Sequence, residues 1–159
     1  MDKLLKLLNE NARRSAEELG TLLAQSTGEI AAKIDEYVKK GVILGYKTVI
    51  DWDKAGSDRV KCIIDLKVTP QKGRGFDDIA EEIARMENVE SVLLMSGGYD
   101  LSVVVTGKSF QDIALFVARQ LSPMDGVLST TTHFVLKTYK KDGVLFGMKD
   151  KDERGYASL

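Results

Sequence analysis

The chain has one cysteine, one histidine, one tryptophan and two prolines in 159 residues, and each scarcity removes a class of protein. A lone Cys62 excludes an internal disulfide, and with it the small scaffolds that disulfides staple together. Its place in an alternating apolar run reads as a small buried hydrophobe rather than a nucleophile, in a reducing compartment. A lone His133, with no second histidine and no free cysteine nearby, excludes a His/Cys metal site and reads as a structural residue among apolar neighbours. Nowhere do about 18 apolar residues run together. The N-terminal leucines are broken up by charge, so no signal-peptide core is present and the expectation is a cytoplasmic protein with no membrane segment. Net charge is also missing: 23 basic against 24 acidic side chains leave −1, so no bulk field favours a polyanion and any nucleic-acid contact has to be local. There is no G-x-x-x-x-G-K, no G-x-S-x-G and no carboxylate pair spaced for acid/base work. No catalytic residue, metal or cofactor is therefore assigned, and the chain is not read as an enzyme.

What is present begins with helices. Leu4, Leu5 and Leu8 stand at helical spacing, and Ser15-Ala16-Glu17-Glu18 is an S-x-x-E capping box ahead of Leu19, Leu22 and Leu23. Ser26-Thr27-Gly28-Glu29 repeats the box ahead of Ile30, Ile34 and Tyr37, with Gly41 placed to end the helix. Two capped helices joined by a very short turn predict a helix-turn-helix, and the β-type run Val42 to Ile50 that follows predicts a winged variant. The expected division is a helix-turn-helix over 1–46, a linker strand and hinge over 47–59, a second domain over 60–140, and a hairpin strand and tail over 141–159. Trp52, alone in the linker, is expected to pack against a neighbouring element or subunit.

From Val60 the pattern has period two: Val60, Cys62, Ile64, Leu66 and Val68 on one face, with Lys61, Asp65 and Lys67 on the other. A helical stripe follows (Phe76, Ile79, Ala80, Ile83, Ala84), then strands over Val89 to Met95 and Leu101 to Thr106. A second helix runs from Ser109 to Leu121, and a long strand from Val127 to Lys140. The order β-α-β-β-α-β is the ferredoxin-like plan, so the fold class is α+β. Helices cover one face of such a sheet, and the last strand is solvent-like on neither side. The open face is therefore expected to be covered by a second copy, giving a homodimer. Asp142-Gly143 predicts a short hairpin, and residues 149–159 a loosely ordered tail.

Between the two middle strands lies Ser96-Gly97-Gly98-Tyr99-Asp100, two glycines and a carboxylate where a charge is out of place. It reads either as a turn whose Asp100 bonds its own backbone or as one wall of a small-molecule pocket, the glycines allowing positive φ and close approach.

Four motifs in order then resemble the Lrp/AsnC family of transcription regulators. They are Asn11-Ala12-Arg13-Arg14-Ser15-Ala16-Glu17-Glu18-Leu19, Gly41-Val42-Ile43-Leu44-Gly45-Tyr46, Gly98-Tyr99-Asp100 and Thr130-Thr131-Thr132. The resemblance implies an N-terminal domain that binds promoter DNA. It also implies a C-terminal effector domain that pairs into dimers, assembles to tetramers or octamers, and takes a free amino acid between domains. On that reading Ser96, Gly97, Gly98, Tyr99 and Asp100, with the hydroxyls of Thr130 and Thr132, hold the effector; the alternative is that the threonines bond each other across the dimer. Arg13, Ser26, Thr27, Gly28, Ala31, Ala32 and Lys33 face DNA.

The likeness has departures. The residue before Ser26 is Gln25 where the family has Leu, Lys33 stands for Arg, and Tyr37-Val38 for Leu-Glu. The outward positions of the recognition helix offer no bidentate arginine–guanine contact. Seven basic and seven acidic side chains cancel over residues 1–46, so phosphate affinity per subunit is low. Two alternatives are a metabolite-binding oligomer with a degenerate helix-turn-helix, and a haem-pathway decarboxylase of like architecture, for which one histidine is too few.

Overall fold

The computed structural model describes residues 2–70 and 75–147; the stretch 149–159, expected to be loosely ordered, lies outside the described residues. The chain divides into two compact units, Met1–Thr48 and Val49–Leu159, so residues 49–59 of the expected linker group with the second unit.

The first unit is three helices: α1 (Lys3–Glu10), α2 (Ala16–Leu23) and α3 (Thr27–Lys39). Each starts where a side chain satisfies otherwise orphaned N–H groups. Asp2 Oδ1 accepts from Leu4 N (2.7 Å) and Leu5 N (3.4 Å), while Ser15 and Ser26 form reciprocal capping boxes with Glu18 and Glu29. The core is small: Leu4, Leu8, Leu19 and Ile30 are buried, with Leu23, Ile34, Tyr37 and Ile43 packed around them. The turn between α2 and α3 is tight. Ala24 takes a left-handed conformation (φ 54°), Gln25 N donates to Gly20 O (3.0 Å), and a Cβ on Gly20 would sit 2.6 Å from Gln25 O.

Asp2 also joins α1 to α3, since Tyr37 Oη donates to its Oδ2 (2.5 Å) and Lys33 Nζ lies 4.0 Å away. The Tyr37 hydrogen bond, then the Leu4 and Leu5 amides and the Lys33 charge, outweigh partial burial and hold the Asp2 carboxyl below its ordinary value. A carboxyl depressed in the folded state contributes stability above its unfolded pKa and loses it as pH falls toward the folded one. Asp2→Asn is therefore expected to flatten the loss of first-unit stability between about pH 5 and 3. Asp2→Ala is expected to cost about 1 kcal/mol at neutral pH through the lost cap. Helical circular dichroism during urea unfolding at several pH values measures both.

The expected wing is corrected. Among the described residues, 42–50 form no strand, and Leu44 (94% exposed) and Tyr46 project outward. A β-type sequence needs a neighbouring strand to satisfy its N–H and C=O groups, and no other strand of the first unit offers one.

The second unit runs β1 (Val60–Val68), α4 (Phe76–Ala84), β2 (Val89–Leu94), β3 (Leu101–Gly107), α5 (Phe110–Phe116), β4 (Val127–Phe134) and a hairpin of β5 (Lys140–Lys141) and β6 (Val144–Leu145). The four long strands form one antiparallel sheet in the order β2-β3-β1-β4. Alternation in β1 and β3 sends Cys62, Ile64, Leu66, Leu101, Val103 and Val105 into one core with Ile79, Ile83, Ile113, Phe116 and Leu121 from the helical side. Burial pushes the Cys62 thiol up to about 11 against a backbone hydrogen bond from Val105, so the group stays protonated at neutral pH.

Two sequence boundaries shift. The last long strand stops at Phe134 rather than Lys140, because β1 begins at Val60 and has nothing left to pair with beyond the bond from Val135 N to Lys61 O (2.9 Å). The helix over 109–121 is α-helical only to Phe116 and continues as a π-helical turn over Val117–Leu121.

Candidate functional site

Strand register decides which side chains share a face. Leu66 pairs with Thr130, Ile64 with Thr132 and Cys62 with Phe134, and all three β1 residues are buried on the helix side. Phe134 confirms the assignment by meeting Phe110 of α5 edge-on at 4.7 Å. Thr130 and Thr132 therefore project to the helix side. The open side carries Ile63 opposite His133 and Val104, Asp65 opposite Thr131 and Ser102, and Lys67 opposite Ser129.

The glycine loop belongs to that open side. Met95 N donates to Asp100 O (2.8 Å) and Asp100 N to Leu66 O (2.9 Å), which closes the turn between β2 and β3 and ties it to β1. Asp100 Oδ2 accepts from Val68 N (2.9 Å), Lys67 Nζ lies 3.6 Å from Oδ1, and the same ammonium reaches Gly98 O (3.4 Å). Asp100 thus bonds a neighbouring strand rather than its own turn. The Tyr99 hydroxyl meets Thr131 Oγ1 at 2.9 Å. The structure brings together Tyr99, Asp100, Lys67 and Thr131, and leaves Thr130 and Thr132 apart from them. Lys67 and Thr131 were missed, and the signal for both was the odd-numbered alternation in β1 and β4.

Gly97 and Gly98 do not use positive φ, so left-handed freedom is not what the loop takes from them. What it takes is room: a Cβ on either would meet nothing within 4 Å. Ser96, Gly97, Gly98 and Tyr99 are exposed, and among the described residues their four consecutive N–H groups donate no hydrogen bond. Such a run next to an ammonium is suited to a carboxylate.

His133 has a polar neighbour that the sequence did not show. It is 56% exposed on the open face, with Nε2 3.2 Å from Asp65 Oδ2, so a carboxylate stands beside it as well as the apolar Ile63. Ile63 (38% exposed) and Leu93 (53%) share that face, which is half apolar and carries no helix.

In the first unit, Arg13 is exposed in the turn after α1, its N–H bonded to Asn11 Oδ1 (3.0 Å). Arg14 is committed instead to Leu7 O (2.9 Å) and Glu10 (3.6 Å). Ser26 caps α3; Thr27, Gly28, Ala31 and Ala32 are exposed along it, and Lys33 is half-buried beside Asp2. Glu29 is held ionised by the Ser26 backbone and hydroxyl hydrogen bonds, so the first turn of α3 carries a fixed negative charge.

Among the described residues no helix is long and apolar enough to cross a membrane, and no cluster of His, Cys, Asp and Glu is placed to hold a metal ion. A sheet with helices on one side, a glycine–aspartate loop at its open face and a tri-helical unit earlier in the chain define a two-unit α+β class of protein. The chain belongs to the Lrp/AsnC family: the profile described as the Lrp/AsnC ligand binding domain matches residues 61–145. It is 48% identical over 153 residues to the HTH-type transcriptional regulator YugG of Bacillus subtilis, covering 96% of this chain and 92% of that protein. It is 26% identical to the HTH-type transcriptional regulator Ptr1 of Methanocaldococcus jannaschii, covering 87% and 90%.

Among solved structures, Escherichia coli AsnC matches with a TM-score of 0.68 at 21% identity, over 89% of this chain and 95% of that one. A Neisseria meningitidis transcriptional regulator in complex with L-methionine matches at 0.72 and 21%, over 89% and 93%. At those identities the likeness shows the fold.

Proposed function

We propose that this chain is an amino-acid-responsive transcriptional regulator. Copies pair through the open sheet face, the Ser96–Asp100 loop with Thr131 takes the effector, and α3 is presented to promoter DNA. The observation that carries the effector reading is the run of unpaired N–H groups from Ser96 to Tyr99 beside Lys67. A free amino acid supplies a carboxylate for those donors, and its ammonium finds the Gly98 carbonyl and the Asp100 carboxylate. The L-methionine complex of the Neisseria relative supports the same ligand class. Titration calorimetry against the twenty amino acids tests it: saturable heat with at least one of them at millimolar concentration is expected, and no heat with any removes the effector.

For DNA the proposed contacts are Arg13, Ser26, Thr27, Gly28, Ala31, Ala32 and Lys33, which reach phosphates and thymine methyls. Because residues 1–46 carry no net charge and Glu29 stays charged, one copy binds weakly, and affinity comes from several tethered copies acting together. The same charge balance favours a second reading, a metabolite-binding oligomer whose helix-turn-helix serves assembly. A gel shift with the DNA upstream of the protein's own coding region separates the two.

A further inference from the structure

Where β1 begins, at the end of the sheet remote from the glycine loop, lies a cavity of about 120 Å³ lined by Trp52, Asp53, Arg59, Lys61, Glu90 and Phe146 among others. Most of its charge is already matched. Lys61 Nζ sits 2.7 Å from Glu90 Oε2, and the Thr106 hydroxyl donates to Glu90 Oε1 (2.6 Å). Burial raises the Glu90 pKa, but these two bonds with the charges of Lys61 and Lys141 outweigh it and keep the carboxylate ionised.

Three charged groups of the lining have no ion-pair partner among the described residues: Lys137, which lies over the Tyr139 ring at 4.8 Å, Arg59 and Asp53. The Arg59 guanidinium lies over the Trp52 ring at 4.8 Å, and none of its N–H donors has an acceptor among the described residues. The Asp53 carboxylate has no partner among them either. Asp53 is carried by a hydrogen-bonded turn (Ala55 N to Asp51 O, 3.1 Å; Gly56 N to Asp53 O, 3.2 Å; Ser57 N to Trp52 O, 3.0 Å), and Arg59 directly precedes the first residue of β1. Ile50, Val135 and Leu136 add apolar wall.

We infer that this cavity is a second small-molecule site, one that takes a small zwitterion with an apolar side chain and is separate from the glycine loop. Arg59 pairs with the carboxylate in the forked geometry a guanidinium offers, Asp53 accepts from the ammonium, and the side chain lies against Trp52 and Phe146. A volume well below the roughly 300 Å³ at which drug-sized pockets begin excludes nucleotides and larger cofactors. The inference does not rest on the loop reading.

Trp52, the only tryptophan, is the reporter. The full chain is titrated with L-alanine, L-leucine and L-methionine, with 4-methylpentanoate and 3-methylbutylamine as probes that each lack one charge. At least one amino acid is expected to change Trp52 emission saturably, and the one-charge probes to need at least about tenfold more. Asp53→Asn, which leaves the Arg59–Trp52 stack in place, and Arg59→Gln are each expected to raise the half-saturating concentration by at least about tenfold with unchanged thermal melting. Tyr99→Ala, in the loop, is expected to leave it unchanged, so failure of the loop site and failure of this one are told apart. The inference is overturned if none of the three amino acids gives a saturable change up to tens of millimolar, or if the change persists undiminished in Asp53→Asn and Arg59→Gln.

Discussion

Gly20→Ala is expected to destabilise the first unit strongly while the second keeps its stability. A methyl group there would stand 2.6 Å from Gln25 O, closer than any Cβ contact tolerates, and what it meets is backbone of the α2–α3 turn rather than a side chain free to swing away. The turn cannot open without losing the bond from Gln25 N to Gly20 O and shifting Ser26, the cap of α3. Overpacking of this kind costs about 2–3 kcal/mol. A core of four buried side chains in a 48-residue unit has little more than that to lose, since stabilities run near 0.1 kcal/mol per residue. The expected result is a loss of helical signal at a temperature at least about 10 °C lower. The β-sheet transition stays in place. Calorimetry resolving two transitions checks it; an unchanged first transition would refute the packing argument.

Ile63→Asp is expected to convert paired copies to single chains without unfolding them. Ile63 lies on the open side of the central strand β1, between Val104 and His133, and is 38% exposed in the isolated chain, so the substitution disturbs no core contact. Once a second copy covers that face, the carboxylate is sealed there without a partner, and two-fold symmetry places it in the interface twice. At about 2 kcal/mol or more per copy, the dissociation constant rises by roughly 10³-fold or more. Sedimentation is expected to show the wild-type chain at twice its 17.6 kDa or a multiple and the variant at that mass. Identical sedimentation of the two would remove the sheet face as the interface.

Most of the architecture was legible because it is local. Both serine capping boxes formed as read, and the alternation of β1 predicted its core face residue by residue. Legibility failed where a partner outside the segment decides the outcome. The run 42–50 has the residues of a strand but no neighbouring strand in the first unit, and Val135 to Lys140 continue the pattern of β4 past the point where β1 can pair with it. The glycine–aspartate loop stood out from composition, but the residues it meets did not. Thr130 and Thr132 stood out as a T-x-T pair, yet a one-residue change of register exchanges the two faces of a strand, and register is set by pairing with β1. His133 stands on the opposite face from Thr130 and Thr132, across the ladder from Ile63 and beside Asp65.

The central claim joins an amino acid at the loop to the grip of α3 on DNA, and binding of fluorescently labelled DNA from the protein's own upstream region, read by anisotropy with and without amino acids, tests it most directly. The account predicts saturable binding at low salt that weakens steeply as salt rises, with a midpoint moved at least about fivefold by one amino acid. No binding at low salt, or a midpoint that no amino acid moves, would contradict it.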